Sequence, residues 1–208
     1  MAPPLSDAVV VDVLRRVDRL VSPLVGRLGR APELPQAHRD AWWAGQASQL
    51  AAGIAAAPRF LGKLADLLPL QNTVATAVQS VVVLGVAGEH GVKDAAERVS
   101  LLSRVLLDRD LPVDRVEPLL VHAKGTYRED AFGIGPNRSG ALRTLWRTSR
   151  LLARIDDALD ARPKGKLRHR ALSNLPVVGV LGGYAAEKEG LRRAATRAAA
   201  VLDGWVRR

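Results

Sequence analysis

Apolar side chains recur every three or four residues through most of this sequence, and that spacing favours helix over every other regular structure. Between Ser6 and Arg30, Val9, Val10, Val13, Val17, Leu20, Val21, Leu24 and Leu28 follow such steps, with Arg15, Arg16, Arg19 and Arg27 between them. Pro23 is expected to kink this helix or end it near Val21, because proline offers no amide hydrogen and its ring clashes with the preceding turn. Residues 30–35 read as a linker, and a second helix is expected from Gln36 to Ala57, carrying Trp42 and Trp43. Pro58 should open a short helix containing Phe60, Leu61, Leu64, Leu67 and Leu68, closed by Pro69.

Asn72 is a suitable N-cap for a helix running to Gly88, and Asp94 with Glu97 has the spacing of a capping box for a helix to Leu107. A short helix should span Leu111 to His122. Glycines 125, 133, 135 and 140, with Pro136 and Asn137, mark a long irregular loop near 124–140. Ala141 to Ala161 reads as helix and Arg162 to Arg170 as a basic turn. The pair Leu175–Tyr184 and Ala185–Val206 reads as a helical hairpin or one bent helix. No segment asks to be a strand: Val81-Val-Val-Leu84 sits inside a longer helical pattern. The expected fold is therefore all-α, a compact multi-helix bundle forming a single domain over residues 1–208, with residues 1–35 as an N-terminal helix and linker.

Composition agrees. The chain has 208 residues, long enough to bury about 70% of the surface it exposes when unfolded. Aromatics are only 4%, so Ala, Leu and Val must build the core, and Ala and Leu lose little entropy in a helix. The absence of cysteine excludes disulfides, thiolate metal sites and a cysteine nucleophile. The opening Met-Ala-Pro-Pro lacks the basic start and apolar run of a signal peptide, so a cytoplasmic protein is expected. Three stretches carry no charge: Ala41–Pro58, Leu67–Gly88 and Ala171–Ala186. Each is interrupted by polar residues or proline, or falls short of the ~20 apolar residues that cross a bilayer. They are expected to be buried helices, with shallow insertion of the third as the alternative.

Motifs for chemistry are absent. His38, His90, His122 and His169 include no pair at helical i,i+4 spacing, so no metal is expected. His38-Arg39-Asp40 spells a kinase catalytic tripeptide without the glycine-rich loop or Asp-Phe-Gly that the chemistry requires. Glu89-His90 reads as a helix-end capping pair, and His122 as a partly buried helical histidine. Gly62-Lys63 and Gly165-Lys166 lack the hydroxyl residue that would hold magnesium. Gly179-Val-Leu-Gly-Gly183 is no dinucleotide fingerprint, for no strand precedes it. Gly179 and Gly183, four apart, are instead expected to flatten a helix face for close packing. Thr126-Tyr-Arg-Glu-Asp130 reads as a solvated turn, with Glu129 and Asp130 as paired carboxylates the alternative. No cofactor is expected.

Charge is the informative feature. Residues 1–100 carry 10 Lys/Arg against 9 Asp/Glu, whereas residues 101–208 carry 21 against 12, so nearly all of the +10 excess lies in the second half. Arg143, Arg147, Arg150 and Arg154 are spaced to form one helical stripe. Leu142, Leu145, Leu152, Ile155 and Leu159 stand beside it, and Arg162, Lys164, Lys166, Arg168, His169 and Arg170 follow. A basic amphipathic helix suits an anionic membrane surface and also nucleic-acid phosphates. With Trp146 the single aromatic on that helix and none in the turn, single-stranded nucleic acid is the poorer fit.

Ser173-Asn-Leu-Pro-Val-Val-Gly-Val-Leu-Gly-Gly183, the following amphipathic helix and its end at Trp205-Val-Arg-Arg208 resemble the end of EcsC-family proteins. Leu68-Pro-Leu-Gln-Asn-Thr73, then Gly88-Glu-His-Gly91 and a capped helix, resemble their middle, so the resemblance covers about residues 67–208. It implies a mostly helical bacterial protein with a membrane connection, since the type member is encoded beside an ABC transporter, and it supplies no catalytic residues. The leading expectation is a non-enzymatic helical protein that associates with anionic lipid or a membrane-associated protein. The alternatives are a nucleic-acid-binding protein and a hydrolase with a site around Tyr127 to Asp130.

Overall fold

The computed structural model describes residues 5–29, 32–56, 71–123, 138–153, 155 and 179–206. They form an all-α bundle of seven helices: α1 (Asp7–Leu28), α2 (Gln36–Ala56), α3 (Gln71–Glu89), α4 (Ala95–Leu106), α5 (Val113–Ala123), α6 (Arg138–Leu152) and α7 (Gly179–Val206). Among the described residues there is no strand, and Val81 to Leu84 is helical.

The bundle is organised around α3. A helix that carries no charge before its last residue and has apolar side chains all round can be stable in water only if other helices surround it. Every described side chain of α3 from Ala75 to Ala87 is buried. Five helices pack on it in the order α6, α1, α4, α7, α2, and each neighbouring pair along that order also packs together. The buried hydroxyl of Ser80 finds its acceptor within the helix, donating to the Thr76 carbonyl of the preceding turn at 2.9 Å. α5 lies outside this layer, against α1 and α4. No described helix is long and apolar enough to cross a membrane.

α1 begins where Ser6, as N-cap, accepts the Val9 amide on its hydroxyl at 3.4 Å. It ends at Gly29, whose φ of +82° is open to glycine. It continues past Pro23, so the proline does not end it near Val21. The carbonyl that loses its donor there belongs to Arg19, and Arg19 and Pro23 are both exposed, so water can take the vacated bond. Arg15 and Arg16, which stand between the apolar positions in sequence, are buried and reach Asp12 at 3.6 and 3.0 Å. Burial, followed by repulsion from Arg19, lowers the Arg15 pKa from its usual range, while Asp12 opposes the shift.

α4 carries the expected cap: Asp94 accepts the amides of Ala96 and Glu97 at 2.6 and 3.1 Å. It is tied to α1 by a fork. Arg98 donates from Nε and a terminal nitrogen to the two oxygens of buried Asp18 at 2.6 and 2.9 Å, and Ser22 Oγ donates to the same carboxylate at 2.9 Å. The hydrogen bond to Asp18 is the main reason the Arg98 pKa rises above its ordinary value.

Three boundaries are corrected. α3 starts at Gln71, so Asn72 lies within its first turn instead of capping it. α6 starts at Arg138, so Ser139 and Gly140 are helical, and its regular α-turns end at Leu152. The C-terminal segment is one continuous helix through Tyr184 and Ala185, which rules out a hairpin there. The expected short helix after Pro58, the loop from 124 to 137 and the basic turn 162–170 lie outside the described residues.

Candidate functional site

α6 sits between the core and the surface. Thr144, Leu145, Thr148, Ser149, Leu152 and Ile155 are buried against α1 and α3. The hydroxyls of Thr148 and Ser149 donate to the carbonyls of Thr144 and Leu145 at 2.9 and 2.8 Å, so this face buries oxygen without an unmet hydrogen bond. At 3.6 residues per turn, the side opposite these residues carries Arg147 and Arg150, and both are exposed. Trp146 is exposed beside them, at 46%.

The structure therefore brings Arg147 and Arg150 together on one outward face, as the spacing predicted. Arg143 is in the same helix, one turn before Arg147, but its side chain lies outside the described residues. Arg154, Arg162, Lys164, Lys166, Arg168 and Arg170 lie outside them as well, as do Tyr127, Glu129 and Asp130. Gly179 and Gly183 belong to the first turns of α7, and their surroundings are not among those described.

The glycine at a close helix contact is Gly85 of α3. A Cβ added there would stand 2.2 Å from Cδ2 of Trp43 and 2.4 Å from its Cε3. The indole of Trp43 lies on this gap, edge-on to Trp42 with ring centroids 5.0 Å apart. One turn further along α3, Trp43 Nε1 donates to Glu89 Oε1 at 3.3 Å. Gly85 and Glu89 thus form one receptor for a single tryptophan, a relation that no local motif announces.

Glu89 also corrects the capping expectation. Its carboxylate turns back to α2, where Arg39 donates to Oε2 at 3.4 Å and to Gln36 Oε1 at 2.5 Å. Asp40 accepts from Gln36 Nε2 at 3.2 Å and faces His90 Nε2 at 3.2 Å. The tripeptide His38-Arg39-Asp40 and the pair Glu89-His90, separated by 50 residues, hence meet at the junction of α2 and α3. Each of the four groups Arg39, Asp40, Glu89 and His90 is bound by another member of the junction. The arrangement reads as a polar clasp between helices. His122 is exposed instead of partly buried, and its Nδ1 donates to the Pro118 carbonyl at 2.7 Å. Among the described residues no group of three or more His, Asp or Glu side chains is placed to hold a metal ion.

The outward face of α6 remains as the candidate site. It offers cations and an indole at the surface and no general acid, base or nucleophile. No family model, curated protein or solved structure matches the chain.

Proposed function

We propose that this is a non-enzymatic helical protein that docks peripherally on an anionic membrane surface, at its cytoplasmic side, through the outward face of α6. The observation that carries the reading is the placement of Arg147 and Arg150, exposed and opposite the buried side of the helix. A partner can approach this exposed face without disturbing the core. Near an anionic bilayer each such residue contributes about 1 kcal/mol. The excess charge of the second half of the chain works in the same direction. The resemblance to the EcsC family, with its membrane connection, agrees with this reading.

The test is sedimentation with vesicles of phosphatidylserine and phosphatidylcholine, against phosphatidylcholine alone, over a range of salt. Binding should require the anionic lipid and weaken as salt rises through ~0.15 M, where the screening length is about 8 Å. Duplex DNA belongs in the same experiment, because a protein of net charge +10 will bind it weakly at low salt. Tight DNA binding at ~0.15 M salt with none to vesicles would replace this function by nucleic-acid binding. Binding to neither would leave the arginines as a solvated face.

A further inference from the structure

We infer that Trp146 is the residue that enters the bilayer, so that α6 lies in the plane of the lipid interface with the indole below the headgroups and Arg147 and Arg150 among them. This rests on the docking function just proposed and names the partner's chemistry: anionic lipid with accessible acyl chains, not a charged surface alone. The other three tryptophans have places in the fold. Trp43 is 1% exposed, and Trp42 and Trp205 pack partly against the core. Trp146 is 46% exposed, the one aromatic among the exposed large apolar side chains of the described residues.

Its position in the helix supplies the second half of the argument. Trp146 and Arg150 are four residues apart and so share a stripe, while Arg147 adjoins both. By register, half-buried Leu151 falls on the opposite flank, beyond Arg147, so that the arginines of the outward arc lie between Trp146 and Leu151. Cations on the outward arc with an exposed indole at its edge suit a bilayer interface. Indole prefers that boundary because one edge is apolar and the N–H is satisfied by headgroups or water. Duplex phosphates would use the arginines and leave the indole in water.

The test uses the full chain with vesicles of phosphatidylserine and phosphatidylcholine, the latter also in a form with brominated acyl chains. Trp146→Ala should lower vesicle partitioning about ten-fold, the loss of one partly buried aromatic. The loss should persist at ~0.5 M salt, where charges are screened within a few ångströms. Trp146→Phe should restore most of the binding. Brominated chains should quench the wild type, and quenching should largely vanish in Trp146→Phe. Unchanged partitioning of Trp146→Ala with no quenching, while Arg147→Glu/Arg150→Glu loses binding, would overturn the insertion and leave the docking function standing. Absence of wild-type binding to any vesicle would remove both. Quenching of Trp146 by a single-stranded oligonucleotide but not by brominated lipid would also overturn it, in favour of base stacking.

Discussion

Replacing Gly85 with alanine places a methyl group inside the van der Waals envelope of Trp43. The new Cβ would lie 2.2, 2.4 and 2.6 Å from ring atoms Cδ2, Cε3 and Cε2, so the indole must retreat by more than an ångström to reach ordinary contact. Trp43 is 1% exposed and stands edge-on against Trp42, so the retreat disturbs packing on both sides. Overpacking of this kind costs about 1–3 kcal/mol. The same movement stretches the 3.3 Å bond from Trp43 to Glu89, a carboxylate whose side chain is only 1% exposed, and a weakened buried acceptor adds about 1–3 kcal/mol. Alanine recovers about 0.5–1 kcal/mol of helix preference over glycine. The net expectation is a loss of about 3 kcal/mol, which for a chain of this size lowers Tm by about 6–12 °C.

Gly45 in α2 is the matched control. It is exposed, nothing would meet a Cβ there within 4 Å, and Gly45→Ala should raise stability by about 0.5–1 kcal/mol. Urea unfolding followed by circular dichroism measures both. Trp43→Phe combined with Gly85→Ala should cost less than the sum of the single changes, because the smaller ring clears the methyl group. A Gly85→Ala protein as stable as the wild type, or costs that simply add, would refute the seating of Trp43 on α3.

Two further predictions concern the fold. Arg98→Met should cost about 3–5 kcal/mol by leaving Asp18 charged and buried, and adding Asp18→Asn should recover a large part in the same unfolding assay. Asp108 takes a left-handed φ of +52° just past α4, where Ser103 accepts the amides of Leu107 and Arg109. Asp108→Gly should therefore relieve about 1 kcal/mol of strain. It gives up an exposed pair with Arg197 worth at most about 1 kcal/mol, so Tm should stay level or rise slightly by calorimetry.

The helices were legible because their signals are local. The three- and four-residue recurrence located α1, and the charge-free run from Leu67 to Gly88 marked α3 as a helix to be enclosed. Asp94 was found as a cap because capping involves only the next few amides. The misreadings arise where the outcome depends on what lies across the fold. Pro23 is tolerated because the carbonyl it deprives faces water, a matter of which side of α1 is covered. Nothing local to Arg15 and Arg16 indicates that tertiary packing buries them. The meeting of Arg39 with Glu89 joins a tripeptide without a supporting motif to a pair that reads in sequence as a helix-end cap.

The glycines make the same point. Gly179 and Gly183 drew notice through a four-residue spacing visible in sequence. Gly85 matters because of a tryptophan 42 positions earlier, and nothing near Gly85 indicates it. At the candidate site, the arginine register could be read directly. The exposure of Trp146 could not, since Leu145 beside it, equally apolar in sequence, is buried.

The central claim is that one face of α6, not net charge alone, holds the protein on anionic lipid. It is tested by comparing two variants with the same change in charge: Arg147→Glu/Arg150→Glu on α6, and Lys188→Glu/Arg192→Glu at exposed positions of α7. Both should keep the wild-type circular dichroism spectrum, since exposed charges contribute little to stability. Sedimentation with phosphatidylserine-containing vesicles at ~0.15 M salt should show binding lost in the α6 variant and largely kept in the α7 variant. Equal loss in both, or undiminished binding of the α6 variant, would contradict the assignment of the membrane-docking surface to α6.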